Sequence, residues 1–295
     1  MNSNSIIERE KSYIEEICNF HNYDSNLRHL LYIIIPAFII KYGIAKEKLI
    51  LDTFKDIKIS INPKESKIIK AYYLSTPTKV NNQYKTTKNM VINNYRNIGL
   101  VELLDNLVHE FNHAVNSYVN EIKVTNNYIL LRTGLTFRVY NRDLSFVKKD
   151  ESFILEEIIN TKQTEDIINI IKEFDSNDPT IYAINSETDH KYNSNAYYLQ
   201  SYICKEILNN RTFISTLEKL RIAGEVYDIN NWFDSIIGTK GKYKELNKLL
   251  NEVYELEISL VDKNLFKKIT INKIRSKSRD IMKIVGDFNS NVNFK

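Results

Sequence analysis

His109-Glu110-Phe111-Asn112-His113 is an H-E-x-x-H pentapeptide, and it lies in a stretch whose apolar residues recur at helical spacing. Leu100, Leu104, Leu107, Val108, Phe111, Val115 and Tyr118 form one stripe, which predicts a helix from about Gly99 to Tyr118. Two histidines four apart on a helix share one face, one turn apart, and can grip a single Zn²⁺. The glutamate between them is turned by about 100°, so it can hold a water that a metal activates. At the same angular step His109 and His113 point away from Leu100, Leu107 and Phe111. Their face also carries Glu102, Asp105, Asn106, Asn112 and Asn116. A polar face bearing both histidines is expected to form the floor of a cleft.

Two histidines leave a zinc ion short of ligands, since catalytic zinc takes three protein groups and a water. The other histidines, His21, His29 and His190, lack ligand spacing. A carboxylate is the expected third ligand. Glu156 and Glu157 lie in a helix expected over residues 152–174, among Ile154, Leu155, Ile158 and Ile159. A carboxylate pair in so apolar a helix is costly to bury without a cationic partner. Exposure at the helix N-terminus, where the dipole favours acids, is the other way to accommodate it.

Outward from these two helices the chain reads as mixed α+β and predominantly helical. Helices are expected over 5–20, 26–41 and 45–55. Ile57, Ile59 and Ile61 alternate with Lys58 and Ser60 as a half-buried strand. Residues 67–75 and Met90–Ile92 read as further strands, with a polar loop from Thr76 to Thr87 between them. Tyr128–Arg132 and Leu135–Tyr140 flank Thr133-Gly134 as a hairpin, followed by a polar connection over Asn141–Asp150. Beyond a polar stretch at Asn185–Asn195, helices are expected from Ala196 onward, broken at Gly224, Gly238/Gly241 and Asp262. Three regions follow: an N-terminal helical region over 1–55, a region over 56–180 holding the sheet and both motif helices, and a helical C-terminal subdomain over 181–295.

The chain has 295 residues and a net charge of +4, with 43% hydrophobic and 26% charged residues, which is ordinary for a globular protein. Only 7 glycines and 4 prolines favour long helices over tight turns. The abundance of Ile, Asn and Lys is that of an AT-rich bacterial genome. So small a net charge with interspersed signs calls for neither a nucleic acid nor a membrane partner. Lys263–Lys283 is the one basic concentration and reads as a solvated helix face. Cys18 and Cys204 are expected to be buried free thiols. The apolar run Leu30–Ile40, broken by Pro36, is too short to span a bilayer. With no basic leader before an apolar core, the expected localisation is cytoplasmic.

His109-Glu110-x-x-His113 followed by Glu157-x-x-Asn160-Thr161 resembles the gluzincin zinc metallopeptidases, in a small bacterial cytoplasmic form, over roughly residues 56–175. The resemblance implies a zincin-like small mixed sheet packed on the H-E-x-x-H helix. It implies one zinc per chain held by His109, His113 and Glu157, with Glu156 as the residue preceding the ligand. Glu110 would be the general base in hydrolysis of a peptide or protein substrate. His190, Tyr192, Tyr197 and Tyr198 follow at the distance usual for the group that steadies the oxyanion. The interval from His113 to Glu157 is longer than the family's usual one and holds the Tyr128–Tyr140 hairpin. Ile158 stands where the family often has glycine, and Thr161 where it often has an acid. No histidine follows His113 at the spacing of the metzincins. A substrate peptide is expected to pair with an edge strand, taken as Met90–Ile92. The rival readings are a non-catalytic zinc-fold interaction or regulatory protein, and a nucleic-acid binder using the lysine-rich C-terminal helix. Glu110, which zinc binding does not require, separates catalysis from the first.

Overall fold

The structure is a computed structural model that describes residues 3–62, 70–93, 95, 98–149, 152–175, 177–186, 197–262 and 267–292. It is mixed α+β and mostly helical. The chain divides into two compact units, and neither is a continuous stretch: one comprises 1–118 and 161–193, the other 119–160 and 194–295. This division cuts the chain differently from the three regions read along the sequence. It falls inside one unbroken helix, α5 (Phe153–Lys172), which therefore contributes to both units.

The first unit opens with α1 (Ser3–His21), α2 (Ser25–Tyr42) and α3 (Glu47–Asp56). Asp24 caps α2 by accepting from Leu27 N at 2.9 Å, and Gly43, at φ 85°, ends it. Ile34, Ile35 and Phe38 of α2 are fully buried, as are Ile50 and Phe54 of α3 to within 1%. Helix α4 (Leu100–Val115) lays its stripe on this layer, and Phe111 stacks on Phe54 at 3.8 Å between ring centroids. Phe54 in turn meets Phe38 edge-on at 5.5 Å. Helix α6 (Pro179–Ser186) is an element that the sequence reading did not contain.

Three strands complete the unit: β1 (Lys58–Asn62), β2 (Ala71–Val80) and β3 (Gln83–Asn93), in the order β1-β3-β2. β3 runs parallel to β1 and antiparallel to β2. Two expectations are overturned here. Thr76–Thr87 is not a loop but the paired ends of a long hairpin, closed by Asn81 and Asn82 with φ of 49° and 62°. Asparagine tolerates this left-handed conformation, and two positive φ values match the twist of a tight hairpin. Met90–Ile92 belongs to the central strand and has a neighbour on each side, so it offers no edge to a peptide. Ile68 and Ile69, read as part of a strand, lie outside the described residues.

The second unit contains the antiparallel sheet β4 (Ile122–Val124), β5 (Tyr128–Thr133), β6 (Thr136–Asn141) and β7 (Phe146–Lys149). β4 is too short and β7 too exposed to carry a sequence signal, and β7 occupies part of the expected polar connection. The hairpin forms, but its turn is Gly134-Leu135, one residue later than read, with Thr133 in the strand opposite Thr136. The first turn of α5 packs with α7 (Tyr198–Ile203), α8 (Lys205–Leu208), α9 (Arg211–Ala223), α10 (Ile229–Ile237), α11 (Lys242–Asp262) and α12 (Lys267–Val292). Gly224 and Gly238 end α9 and α10 in the left-handed conformation, as their positions in the sequence imply. The centre of this core is aromatic: Phe233 stacks on Phe288 at 4.7 Å, and Phe213 meets Phe288 edge-on at 5.3 Å. Cys18 and Cys204 are buried free thiols, one in each unit.

Phe54 is the hinge of the first unit's aromatic stack. Phe54→Ala should cost about 3–5 kcal/mol of stability, measured by denaturant unfolding followed by circular dichroism. A loss under about 1 kcal/mol would mean that the stack does not support α4.

Candidate metal centre

Helix α4 forms because its apolar stripe finds a core, and this fixes which way its polar residues point. Leu104, Leu107 and Val108 are fully buried and Phe111 is 1% exposed. On the other side, the His109 and His113 rings meet edge-on with centroids 4.9 Å apart. His113 is buried and His109 half-buried.

Much of the histidine face lies below the surface. Asp105, Asn106, Asn112 and Asn116, on the histidine face, are all buried. For Asn112 and Asn116 the burial is offset by a hydrogen-bond network inside the first unit. Tyr42 Oη donates to Asn112 Oδ1, and Asn116 Nδ2 donates to Tyr42 Oη at 2.9 Å and to Asn112 Oδ1 at 3.0 Å. Asn112 Nδ2 donates to Gln163 Oε1 on α5 at 3.3 Å. A helical wheel separates polar from apolar faces but not wet from buried ones. Here the polar face is the seam along which α2, α4 and α5 are tied together.

Glu110 takes a separate direction. It is 9% exposed, and its Oε2 accepts the backbone N–H of Tyr73 at 2.7 Å. Tyr73 lies opposite Met90 in the β2–β3 pairing, and β2 is an edge strand, so this N–H leaves the sheet on its outer side. Glu110 has no other hydrogen-bond or ion-pair partner among the described residues.

On α5 the neighbouring acids Glu156 and Glu157 have opposite fates. Glu156 is 1% exposed and is paired with the fully buried Arg221 of α9. Its Oε2 also accepts from Leu135 N at 2.8 Å, and Arg221 Nη2 reaches Asn160 Oδ1 at 3.2 Å. Gly134 is required beside it for two reasons. Its φ is +55°, and a Cβ there would lie 2.1 Å from the Glu156 carboxylate. Arg132 completes this buried cluster, donating from Nη1 to Gly134 O at 2.8 Å. Burial pulls its pKa down to about 10 against the pull of Glu156. This is the cationic partnership that a buried carboxylate demands.

Glu157, about 100° further round the helix, is not part of that cluster. Its carboxylate, His109 and His113 each bring one ligand atom into a set lying within 4.8 Å of one another. Four donors placed tetrahedrally at zinc distances stand ~3.4 Å apart, so side-chain adjustments of about an ångström would close the set. Two imidazoles and one carboxylate are also the donor types that zinc takes in open, water-accessible sites. The residues present therefore fit such an ion. Lys149 reaches toward Glu157 from β7, with Nζ 3.1 Å from the centroid of the Phe153 ring. Loss of water there draws its pKa down to about 8, while the Glu157 charge pulls the other way.

Of the residues expected to steady an oxyanion, His190 and Tyr192 lie outside the described residues. Tyr197 packs against Phe153 and Tyr254. Tyr198 is 66% exposed and has no hydrogen-bond partner among the described residues. The sequence reading missed Tyr73, Arg221 and Lys149. Arg221 stands 65 positions from its partner Glu156, and nothing local signals the pairing. No family model, curated protein or solved structure matches this chain.

The two acids should separate experimentally. Glu156→Ala should lower stability by about 3–5 kcal/mol by leaving Arg221 buried and uncompensated. Glu157→Ala should leave the melting temperature of metal-free protein within a few degrees of wild type while removing most metal binding. Calorimetry of chelated samples and elemental analysis of loaded ones read the two effects. Equal melting temperatures for the two variants would remove the distinction.

Proposed function

We propose that this chain is a zinc-dependent peptide hydrolase of the gluzincin type, with His109, His113 and Glu157 holding the metal and Glu110 as general base. One observation carries the reading. The second motif's Glu157 joins the histidine pair of the first, while Glu110 stays out of the ligand set, anchored on a strand edge. A purely structural metal site has no use for that fourth group.

Bound there, Zn²⁺ would lower the pKa of a water toward ~7 and polarise the scissile carbonyl. Glu110 takes the proton from the attacking water and passes it to the leaving nitrogen. The Tyr73 N–H holds one carboxylate oxygen in place, and the other is left to exchange the proton. The outer edge of β2 takes over the role expected of Met90–Ile92. An extended peptide would lie along that edge, antiparallel or parallel to the strand, outside Tyr73 and Ser75; the Tyr73 N–H itself is already taken by Glu110. Pro77, at the next outward position, has no N–H to offer and ends the pairing there. His190 and Tyr198 remain the proposed donors to the oxyanion, with Tyr198 carrying a hydroxyl that no described residue engages. No single described helix is long and apolar enough to cross a membrane.

Purified protein supplied with zinc should hold close to one ion per chain, and His113→Ala should lose it. Elemental analysis also reads zinc against iron(II), which two imidazoles and a carboxylate can hold as well. Glu110→Gln keeps an acceptor for the Tyr73 N–H and removes the basicity. It should preserve metal content and melting temperature and slow cleavage of a peptide library by about 10²-fold or more. Cleavage at the wild-type rate would end the general-base assignment. A zinc-loaded wild type that cuts nothing across the library would favour the non-catalytic reading.

A further inference from the structure

The second unit contains a cavity of about 490 Å³ between the β-hairpin and helices α10 and α11. Its floor is apolar: Leu135, Val226 and Ile229 are buried to within 4%, and Phe137 stacks on Tyr227 with centroids 5.1 Å apart. Its other wall is cationic. Lys148, Lys149 and Lys244 line it, and no acidic side chain among the described residues does. Neither Lys148 nor Lys244 has an ion-pair partner among the described residues. Cationic groups gathered over an apolar floor favour a ligand with an anionic end and a greasy body.

One further group makes the demand specific. Asn247 of α11 lines the cavity at 3% exposure. Its Nδ2 donates back to Tyr243 O at 2.9 Å, which fixes the orientation of the amide, and its Oδ1 has no hydrogen-bond partner among the described residues. A buried acceptor left unpaired costs free energy, and a ligand N–H or O–H would recover it.

We propose that this cavity binds the carboxylate end of a peptide with an apolar last side chain. The lysines take the carboxylate, the floor takes the side chain, and Asn247 Oδ1 accepts the amide N–H. The choice of a peptide end over other N–H-bearing anions rests on the peptidase reading, whereas the need for an anion with a donor does not. Lys149 lines this cavity and also feels the charge of Glu157, so on the peptidase reading a chain end seated here is within electrostatic range of the proposed ligand. The substrate class is then peptides cut near an apolar C-terminus.

The test is a calorimetric titration of the full-length protein with N-acetyl-leucine, with zinc and after chelation. N-acetyl-leucine should bind with the same affinity in both samples. N-acetyl-leucinamide, lacking the charge, should bind about ten-fold more weakly. 4-Methylpentanoate, lacking the amide, should bind about five-fold more weakly. Asn247→Leu should remove the preference for the amide-bearing ligand. Should that variant fail to fold, the exposed pair Lys148→Gln/Lys244→Gln carries the test by removing the preference for the carboxylate. No saturation by about 10 mM, equal binding of the acid and its amide, or loss of binding on chelation would each overturn the proposal. Binding of N-acetyl-leucine by a protein that cleaves no peptide would overturn the peptidase reading and leave the cavity's assignment intact.

Discussion

The buried ion pair between Glu156 and Arg221 is the constraint on which the candidate site depends. Two charges withdrawn from water lose several kcal/mol of hydration each, and only close pairing with further hydrogen bonds recovers it. Here Leu135 N and Asn160 Oδ1 supply those bonds, and Gly134 supplies the room. The pair therefore sets the rotation of α5 about its own axis. Once Glu156 is committed to Arg221, Glu157, about 100° further round, has one direction left. A helix with only the apolar residues of α5 could roll by a fraction of a turn at modest cost, since Ile154, Leu155, Ile158 and Ile159 surround much of its circumference. The charged pair converts a greasy helix of indifferent orientation into an indexed one.

The second fixed element is the polar seam of α4. Asn112 and Asn116 are fully buried, and they bond to α2 through Tyr42 and to α5 through Gln163. The histidines one turn apart on this helix inherit their position from amides that never touch a metal. Glu110 is held by a third device, the outer N–H of an edge strand. The histidine pair, Glu157 and Glu110 are thus each oriented by a different set of contacts.

Much of this was legible in the sequence, and the failures have identifiable physics. The H-E-x-x-H helix, the α5 helix and the Gly134 hairpin were readable because periodicity and a turn glycine are local signals. The distinction between Glu156 and Glu157 was half readable: the sequence says that a buried carboxylate needs a cation, but Arg221 lies on a helix that no local pattern connects to it. The β2–β3 hairpin was read as a loop because its strands are rich in Thr, Lys and Asn. Its turn is Asn-Asn, without the glycine that usually marks such a bend. The assignment of the edge strand failed for a topological reason. Strand order within a sheet is set by a parallel pairing between β1 and β3, across the intervening β2, which no strand pattern contains.

The discontinuity of both units has a consequence for biosynthesis. When the ribosome has made the first 118 residues, α4 exists as sequence, but Gln163, which its buried Asn112 bonds, does not. The first unit cannot close until residue 193 has emerged, and by then 119–160, which belong to the other unit, hang from it without α9 to supply Arg221. Unlike a chain of sequential domains that emerge one after another, this chain begins the second unit before the residues of the first are all made. Glu156 emerges without its cationic partner, which follows 65 residues later, when translation is well past its midpoint.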